Sequence, residues 1–476
     1  MTRYVTVEPD LLYDGIRVLD GGKLTFDESG TLVDPSQILD DVSTTHLRFR
    51  NKAIVPGFVN SHSHAFQRLI RGRTHEKAAL REDFWSWRQM MMTAVSQLTP
   101  EELYQVTYLA FVEMLLAGYT TVGEFHYIHR QPDGSPYDES NYLGKIVIQA
   151  ALDAGIRIVL LRTATCRSGF ANTPAEGGQR RFVEPDPEQI FNDLECLQNY
   201  LRRTDDPCSR MGVAPHSIRA VGASELVRFH AWAEKNHISF HIHAAEQPAE
   251  VEASLTHTGL RPVEYLANLG VLSKITTLVH ATHVNQYEID RIADTQTTVC
   301  VCPTTEADLG DGLLPAGLMA QKRIPMALGS DSQAIIDPFC EMRMLETGER
   351  LRTGQRICLG GPSAHDNGTS LTMPEHLMRS GTVAGSRSLH PNVVENPSLL
   401  RPGLPADFVV VDLHHPSLVG CSRATLIPSL VLHGAAGAVT DVWVQGKRRV
   451  SDKTHRGYNR GVQNFLTVCR RLFETP

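Results

Sequence analysis

Four short clusters hold the residues best suited to chemistry: Asn60-Ser61-His62-Ser63-His64, His241-Ile242-His243-Ala244-Ala245-Glu246, Leu278-Val279-His280-Ala281-Thr282-His283 and Leu328-Gly329-Ser330-Asp331-Ser332. In an extended chain residues i and i+2 point the same way, so His62 and His64 project together. Two neutral imidazoles on one face suit a borderline-soft cation such as Zn²⁺. Alone, the HxH says little, because paired histidines at a polar strand end are often incidental. His243 ends a second apolar run, with Glu246 in the loop behind it; His241 alternates to the same side but deeper, where a hydrogen-bonded core histidine is expected. The remaining residues each have a plain structural reading: a core position for His280, a surface or cap position for His283, a helix N-cap for Asp331. What favours a metal centre is their joint placement at the ends of apolar runs.

Those runs number eight, at 53–59, 120–124, 156–161, 211–215, 238–243, 276–280, 297–301 and 324–328. Between them lie stretches of helical periodicity. Leu103, Val106, Ala110, Met114 and Ala117 follow steps of three and four, as do Ile190, Leu194, Leu197 and Leu201, each set giving one apolar stripe. Gly118, Gly155 and Gly270 stand just past such stretches, where helices end. Eight strands alternating with helices over roughly 280 residues predict an α/β fold, a (β/α)8 TIM-like barrel. An open doubly wound sheet is the alternative, but no GxGxxG follows the first strand. Counted around the barrel, His62, His64, His243 and Asp331 fall at the C-terminal ends of strands one, five and eight, the face where barrel enzymes build their sites.

The two ends of the chain read differently. Short strand-like pieces and turns (Asp20-Gly21-Gly22, Ser29-Gly30) fill the first fifty residues, and strands return at 407–413 and 439–444 with a turn at Gln445-Gly446. Neither end makes a domain alone, so residues 1–54 and 400–476 are expected to form one small β domain beside a barrel of residues 55–399. Segment 354–392 is rich in glycine and serine and carries no functional assignment.

Composition narrows the function. The 476-residue chain is 42% hydrophobic and 21% charged with a formal charge of −7, so nothing points to nucleic acid or an anionic membrane. No stretch approaches the roughly 20 apolar residues of a bilayer span, and the N-terminus lacks a signal-peptide core. The nine cysteines show no paired framework; Cys300 and Cys302 lie in an apolar strand-like run as buried thiols. A reducing, cytoplasmic setting is expected.

VPGFVNSHSHAFQR, HIHAAEQ, LVHATHV and LGSDS together resemble the amidohydrolase superfamily over nearly the whole chain. In its single-metal deaminase branch, the resemblance implies His62, His64, His243 and Asp331 as ligands of one divalent ion, Zn²⁺ or alternatively Fe²⁺. The two-metal branch has a carboxylated lysine at the end of strand four, where this chain reads Val213-Ala214-Pro215-His216. DFWSWRQMM, GGQRRF, APHSIRAV and DPFCEMRMLETGERLR are further similar to the formimidoylglutamate deiminases, which convert N-formimino-L-glutamate to N-formyl-L-glutamate and ammonia. One departure is Gln333 after GSDS, where histidine is expected. The resemblance implies Gln67, Arg88, Tyr127, His216 and Arg219 as substrate-binding residues, and a homodimer. Arginine suits the bidentate binding of a substrate with two carboxylates. Arg180 and Arg181 either order a lid or reach the substrate. The chemistry implied is hydrolysis by an activated water, with Asp331 and His280 orienting it and taking its proton, and Glu246 protonating the leaving nitrogen. The rivals are a single-metal deaminase of a nucleobase such as guanine or cytosine, favouring stacking rings over arginines, and a non-catalytic scaffold on the same fold.

Overall fold

The computed structural model describes residues 3–38, 43–75, 84–360, 371–391 and 398–474. Its centre is a sheet of eight parallel strands that follow one another in chain order: Phe58–Ser63, Tyr119–His126, Arg157–Ala164, Ser209–Pro215, Phe240–Ala244, Thr276–His280, Thr298–Val301 and Met326–Leu328. Nearly every residue in them is buried. Parallel strands covered by crossover helices have no solvent face, which explains their continuous apolar character. The helices between them are the expected ones. Helix Pro100–Ala117 starts in a capping box of Thr99 and Glu102 and ends at Gly118 with φ 104°, and it buries the stripe from Leu103 to Ala117. Helix Pro187–Thr204 buries Ile190, Leu194 and Leu197.

The seam between the last and first strands is short. Ser63 and Asp331 form a parallel bridge. His64 N donates to Asp331 O at 3.0 Å, and Asp331 N donates to His62 O at 3.0 Å. The backbone of three residues expected to hold a metal therefore closes the barrel at its C-terminal rim.

Seven of the eight strand expectations match within two or three residues at each end. The first is different: run 53–59 straddles two strands. Residues up to Pro56 end a long strand, Thr44–Pro56, of the other sheet, and the barrel strand starts at Phe58. Pro56 has no N–H to offer a ladder, and a Cβ on Gly57 would lie 2.1 Å from Thr120 Oγ1, so the chain changes sheets where only glycine fits.

That other sheet unites the chain ends. Strand Thr44–Pro56 pairs parallel with Tyr4–Tyr13 and antiparallel with Phe408–Asp412, which in turn pairs with Val439–Val444. Phe408 stacks on Trp443, and Phe26 packs against both at an angle, in its separate small core with Val7, Leu12 and Ile54. Gln445 and Gly446 turn with φ of 50° and 66°. Beyond residue 457 the chain leaves the sheet, and helix Tyr458–Cys469 lies along helix Pro100–Ala117 on the barrel. Within 354–392, helix Val383–Leu389 packs against the first, seventh and eighth barrel strands and helix Met373–Ser380 packs beside it, while 361–370 lie outside the described residues, as does Asp83 of the DFWSWR motif. The nine cysteines are free thiols. Among the described residues no helix is long and apolar enough to cross a membrane.

Candidate active site

Every cluster singled out by residue type reaches the same rim. His62 and His64 lie on and just past the first strand, His243 ends the fifth, His280 the sixth, and Asp331 follows the eighth. The backbone there is bent sharply inward: Ala245, His280, Ala281, Asp331 and Gln333 all have left-handed φ, between 42° and 71°. Such conformations are unfavourable for residues with a Cβ and gather at functional sites.

The side chains converge. His62 Nε2 lies 3.2 Å from both His64 Nε2 and His243 Nε2. Asp331 Oδ1 lies 3.4 Å from His62 Nε2 and 3.3 Å from His64 Nε2. Donors held tetrahedrally at about 2.1 Å from one ion stand about 3.4 Å apart, so these spacings are those of a ligand cage. The outer nitrogens agree. His64 Nδ1 donates to Phe125 O at 2.8 Å and His243 Nδ1 to His216 O at 3.0 Å, which turns the Nε2 lone pairs of both rings inward. Burial lowers the pKa of all three histidines, that of His64 to about 3, so the rings are neutral donors. Burial opposes charge on Asp331, but the hydrogen bond and charge of His62, with His64 and His280, outweigh it and hold the carboxyl well below its usual range. Three neutral nitrogens and one carboxylate fit a divalent cation, and Zn²⁺ suits that donor set. His280, Cys302 and Asp331 form a second close group. Burial and Cys300 push the Cys302 thiol up, so it stays protonated and is a poor ligand.

Acids surround His280. Its Nδ1 donates to Glu306 Oε1 at 3.2 Å, and its Nε2 faces Glu246 Oε1 at 3.7 Å and Asp331 Oδ2 at 3.8 Å. Burial works against protonation of this ring, but Glu246, Glu306 and Asp331 raise its pKa well above the ordinary value. Burial pushes Glu246 up to about 7, with Asp331 and Glu250 adding to the rise and His280 and Arg219 opposing it. A carboxyl that exchanges its proton near neutrality suits acid–base work. Glu250 Oε2 accepts from Glu246 N at 3.1 Å. Asp311, behind the seventh strand, is pushed up to about 9 by burial and then by Glu246. Glu250, Glu306 and Asp311 carried no signal in the sequence reading, because they sit in loops or first helical turns with no periodic partner.

The other side of the mouth is basic. Arg88, on helix Phe84–Gln97, has its pKa lowered by burial and by the charge of Arg219. Arg219, past the fourth strand, has a buried Nε with no hydrogen-bond partner. Both guanidiniums act on His216, whose pKa falls through burial first and then their charge. The His216 ring lies 5.0 Å from His243 and 6.1 Å from Tyr127. Gln67 Nε2 donates to Tyr127 Oη at 2.7 Å, leaving Gln67 Oε1 buried and unpartnered, and the Tyr127 ring packs edge-on to His64 at 4.8 Å. Tyr127 and His216 thus border the imidazole cage, Gln67 bonds Tyr127, and Arg88 and Arg219 lie near enough for their charge to act on His216.

Arg181 of the QRRF loop is tied to the helix that carries Arg88. Arg181 is 1% exposed, and its Nη1 donates to Val95 O and Leu98 O, both at 2.7 Å, at the C-terminal end of the helix that carries Arg88. Its Nε donates to Arg130 O at 3.0 Å. A Cβ on Gly178 would meet Met92 O at 2.2 Å, so the loop rides directly on that helix. Phe182 packs on Tyr127 at 4.7 Å. Arg180 is exposed and donates only to Ala175 O, at 3.4 Å. Gln333, the departure noted above, is fully buried and ties the seam together. Its Nε2 donates to Ser63 Oγ at 2.9 Å and Asp331 O at 2.8 Å, and its Oε1 accepts from Ser330 Oγ at 2.8 Å. His241 is buried, with Nε2 donating to Ser388 O at 2.8 Å, and His283 Nε2 donates to Asp311 O at 2.6 Å.

A family model described as the amidohydrolase family matches residues 53–449. The chain is 32% identical to formimidoylglutamate deiminase of Pseudomonas aeruginosa over 422 residues, 89% of this chain and 90% of that protein. It is 29% identical to 8-oxoguanine deaminase of the same organism, over 85% of this chain and 83% of that protein. Among solved structures, an amidohydrolase from Brucella melitensis superposes with a TM-score of 0.86 at 30% identity, covering 98% of this chain and 99% of the other.

Proposed function

The chain belongs to the amidohydrolase family, and from that premise we propose that it hydrolyses N-formimino-L-glutamate to N-formyl-L-glutamate and ammonia. His62, His64, His243 and Asp331 would hold one divalent cation, for which Zn²⁺ suits the donor set. When bound there, such an ion acts as a Lewis acid and lowers the pKa of a water ligand from about 16 towards 7. Asp331 and His280 would orient the attacking water, and Asp331 would take its proton. Glu246, half-protonated near neutrality, gives a proton to the departing nitrogen, and the protonated His280 stabilises negative charge on the new oxygen. Arg88 and Arg219 receive the two substrate carboxylates, with Gln67, Tyr127 and His216 completing the pocket.

The observation that carries this reading is the pair of guanidiniums beside His216, near enough that the charge of Arg219 adds to burial in lowering the pKa of Arg88. A dicarboxylate relieves that repulsion, whereas an uncharged purine does not. The identity to formimidoylglutamate deiminase over nine-tenths of both chains supports it. The 29% identity to 8-oxoguanine deaminase favours a second reading, nucleobase deamination. Ammonia release from N-formimino-L-glutamate, 8-oxoguanine, guanine, cytosine and adenosine, with metal analysis of the same sample, tests both. We expect turnover of the first alone, with one metal per chain. Turnover of a purine or pyrimidine alone overturns the substrate, and a folded, metal-free, inactive protein points to a scaffold. We further propose a cytoplasmic homodimer, which light scattering and cell fractionation check.

A further inference from the structure

N-formimino-L-glutamate carries a positive charge on its amidine as well as two negative ones, and the roles assigned so far leave that cation without a fixed counter-charge. Glu246 must exchange its proton, and Asp331 is committed to the cage. We propose that Asp311 is the specificity-determining carboxylate that receives the amidinium nitrogen and selects a cationic carbon–nitrogen group. This inference rests on the deiminase reading and extends it to the opposite end of the substrate.

The geometry is that of a presented carboxylate. Asp311 is 2% exposed, on the loop after helix Pro303–Leu309. Gly310 and Gly312 flank it with φ of 70° and 119°, so the loop turns inward through positions that residues with a Cβ rarely adopt. Two contacts anchor it to the strands that bear the reacting groups. Its Oδ1 accepts from the Gln247 amide, next to Glu246, and its backbone O accepts from His283 Nε2 at 2.6 Å. Its Oδ2 is buried and has no hydrogen-bond partner among the described residues. Leaving a buried carboxylate oxygen without a donor is unfavourable unless a ligand completes it. Burial and then the charge of Glu246 raise the pKa of Asp311 to about 9, so in the free protein it carries a proton near neutrality; an amidinium arriving among Glu246, His280, Glu306 and Asp331 displaces that proton and pairs with the carboxylate. An amidinium has N–H donors on both nitrogens, so one can face Glu246 while the other faces Asp311.

Two ligands that share both carboxylates separate this role from a structural one. N-formyl-L-glutamate has an uncharged formamide at the reacting end, and 2-guanidinoglutarate has a cation there. Inhibition constants are measured on zinc-loaded wild type and on Asp311→Asn, which keeps the acceptor for Gln247, with Asp311→Ser as a second variant. We expect the guanidino compound to weaken by about 10- to 100-fold in both variants, the loss of one charge-assisted hydrogen bond. Inhibition by N-formyl-L-glutamate should stay within about twofold, with zinc content unchanged. An equal change for the two ligands, or none for either, overturns the proposal. A wild type that releases no ammonia from N-formimino-L-glutamate and binds neither dicarboxylate overturns the deiminase reading itself, a distinguishable outcome.

Discussion

On the fourth-strand side of the barrel mouth stand Arg88 and Arg219, near His216 and Tyr127; on the side of strands five to seven, Glu246, Glu250, Glu306 and Asp311 gather about His280. The imidazole cage lies between them. The basic side holds like charges near one another, and Arg219 Nε is buried with no hydrogen-bond partner among the described residues. The acidic side is partly satisfied from within, since His280 bonds Glu306 and faces Glu246. The difference teaches where binding and chemistry divide. Guanidiniums do not change charge near neutrality and serve to bind, whereas a carboxyl at about 7 beside an imidazole moves protons.

The largest effect should come from the acidic side. Glu246→Gln removes the proton carrier but keeps shape, and kcat for ammonia release should fall about 10²- to 10⁴-fold with metal content unchanged. A variant with near-normal kcat would break the division. On the basic side, Arg219→Met should raise KM for N-formimino-L-glutamate about 10²-fold and leave zinc content and kcat much less affected. If instead kcat falls and KM holds, Arg219 belongs with the chemistry.

A smaller effect is expected one step back. Arg181→Met frees the end of the helix that bears Arg88, leaving Val95 O and Leu98 O without this donor. KM should rise about tenfold with kcat retained, measured beside a melting curve. Arg181→Lys, which restores a charged donor, should recover part of it.

The smallest effect sharpens the contrast between carboxyls that have a cationic partner and those that do not. Among the described residues Glu124 accepts from Ser63 Oγ at 2.5 Å and Ala65 N at 2.8 Å, and burial pushes it up from 4.5 to about 8 against those bonds. Its folded pKa exceeds its unfolded one, so the folded state binds more protons in between and this group's contribution to stability falls as pH rises from 4.5 through about 8. Glu124→Gln should remove that slope and raise Tm in mildly alkaline buffer by about 2–4 °C, seen by calorimetry across neutral to alkaline pH.

Much of the framework was legible along the chain. The period of two aimed His62 and His64 together, and apolar runs located seven barrel strands within two or three residues at each end. The first strand was misread because the apolar run 53–59 continues unbroken across the change of sheet at Gly57, and the barrel strand goes on into the polar residues 60–63. Arg181 was ambiguous for a related reason: a guanidinium in a loop looks the same whether it faces substrate or the end of a helix. Its partners lie 83 and 86 residues away.

Local periodicity by itself determined which side chains leave each strand at the C-terminal rim, because backbone geometry sets side-chain direction within a few residues. It also determined the barrel, since buried parallel strands require the apolar runs and crossover helices this sequence has. Only the tertiary structure decided that Glu306 and Asp311 join His280, that Gln333 ties Asp331 to Ser63, and that Arg181 serves the helix of Arg88. Those pairings cross loops, and which loop meets which depends on how the closed barrel brings distant rims together, a property no short stretch of sequence carries.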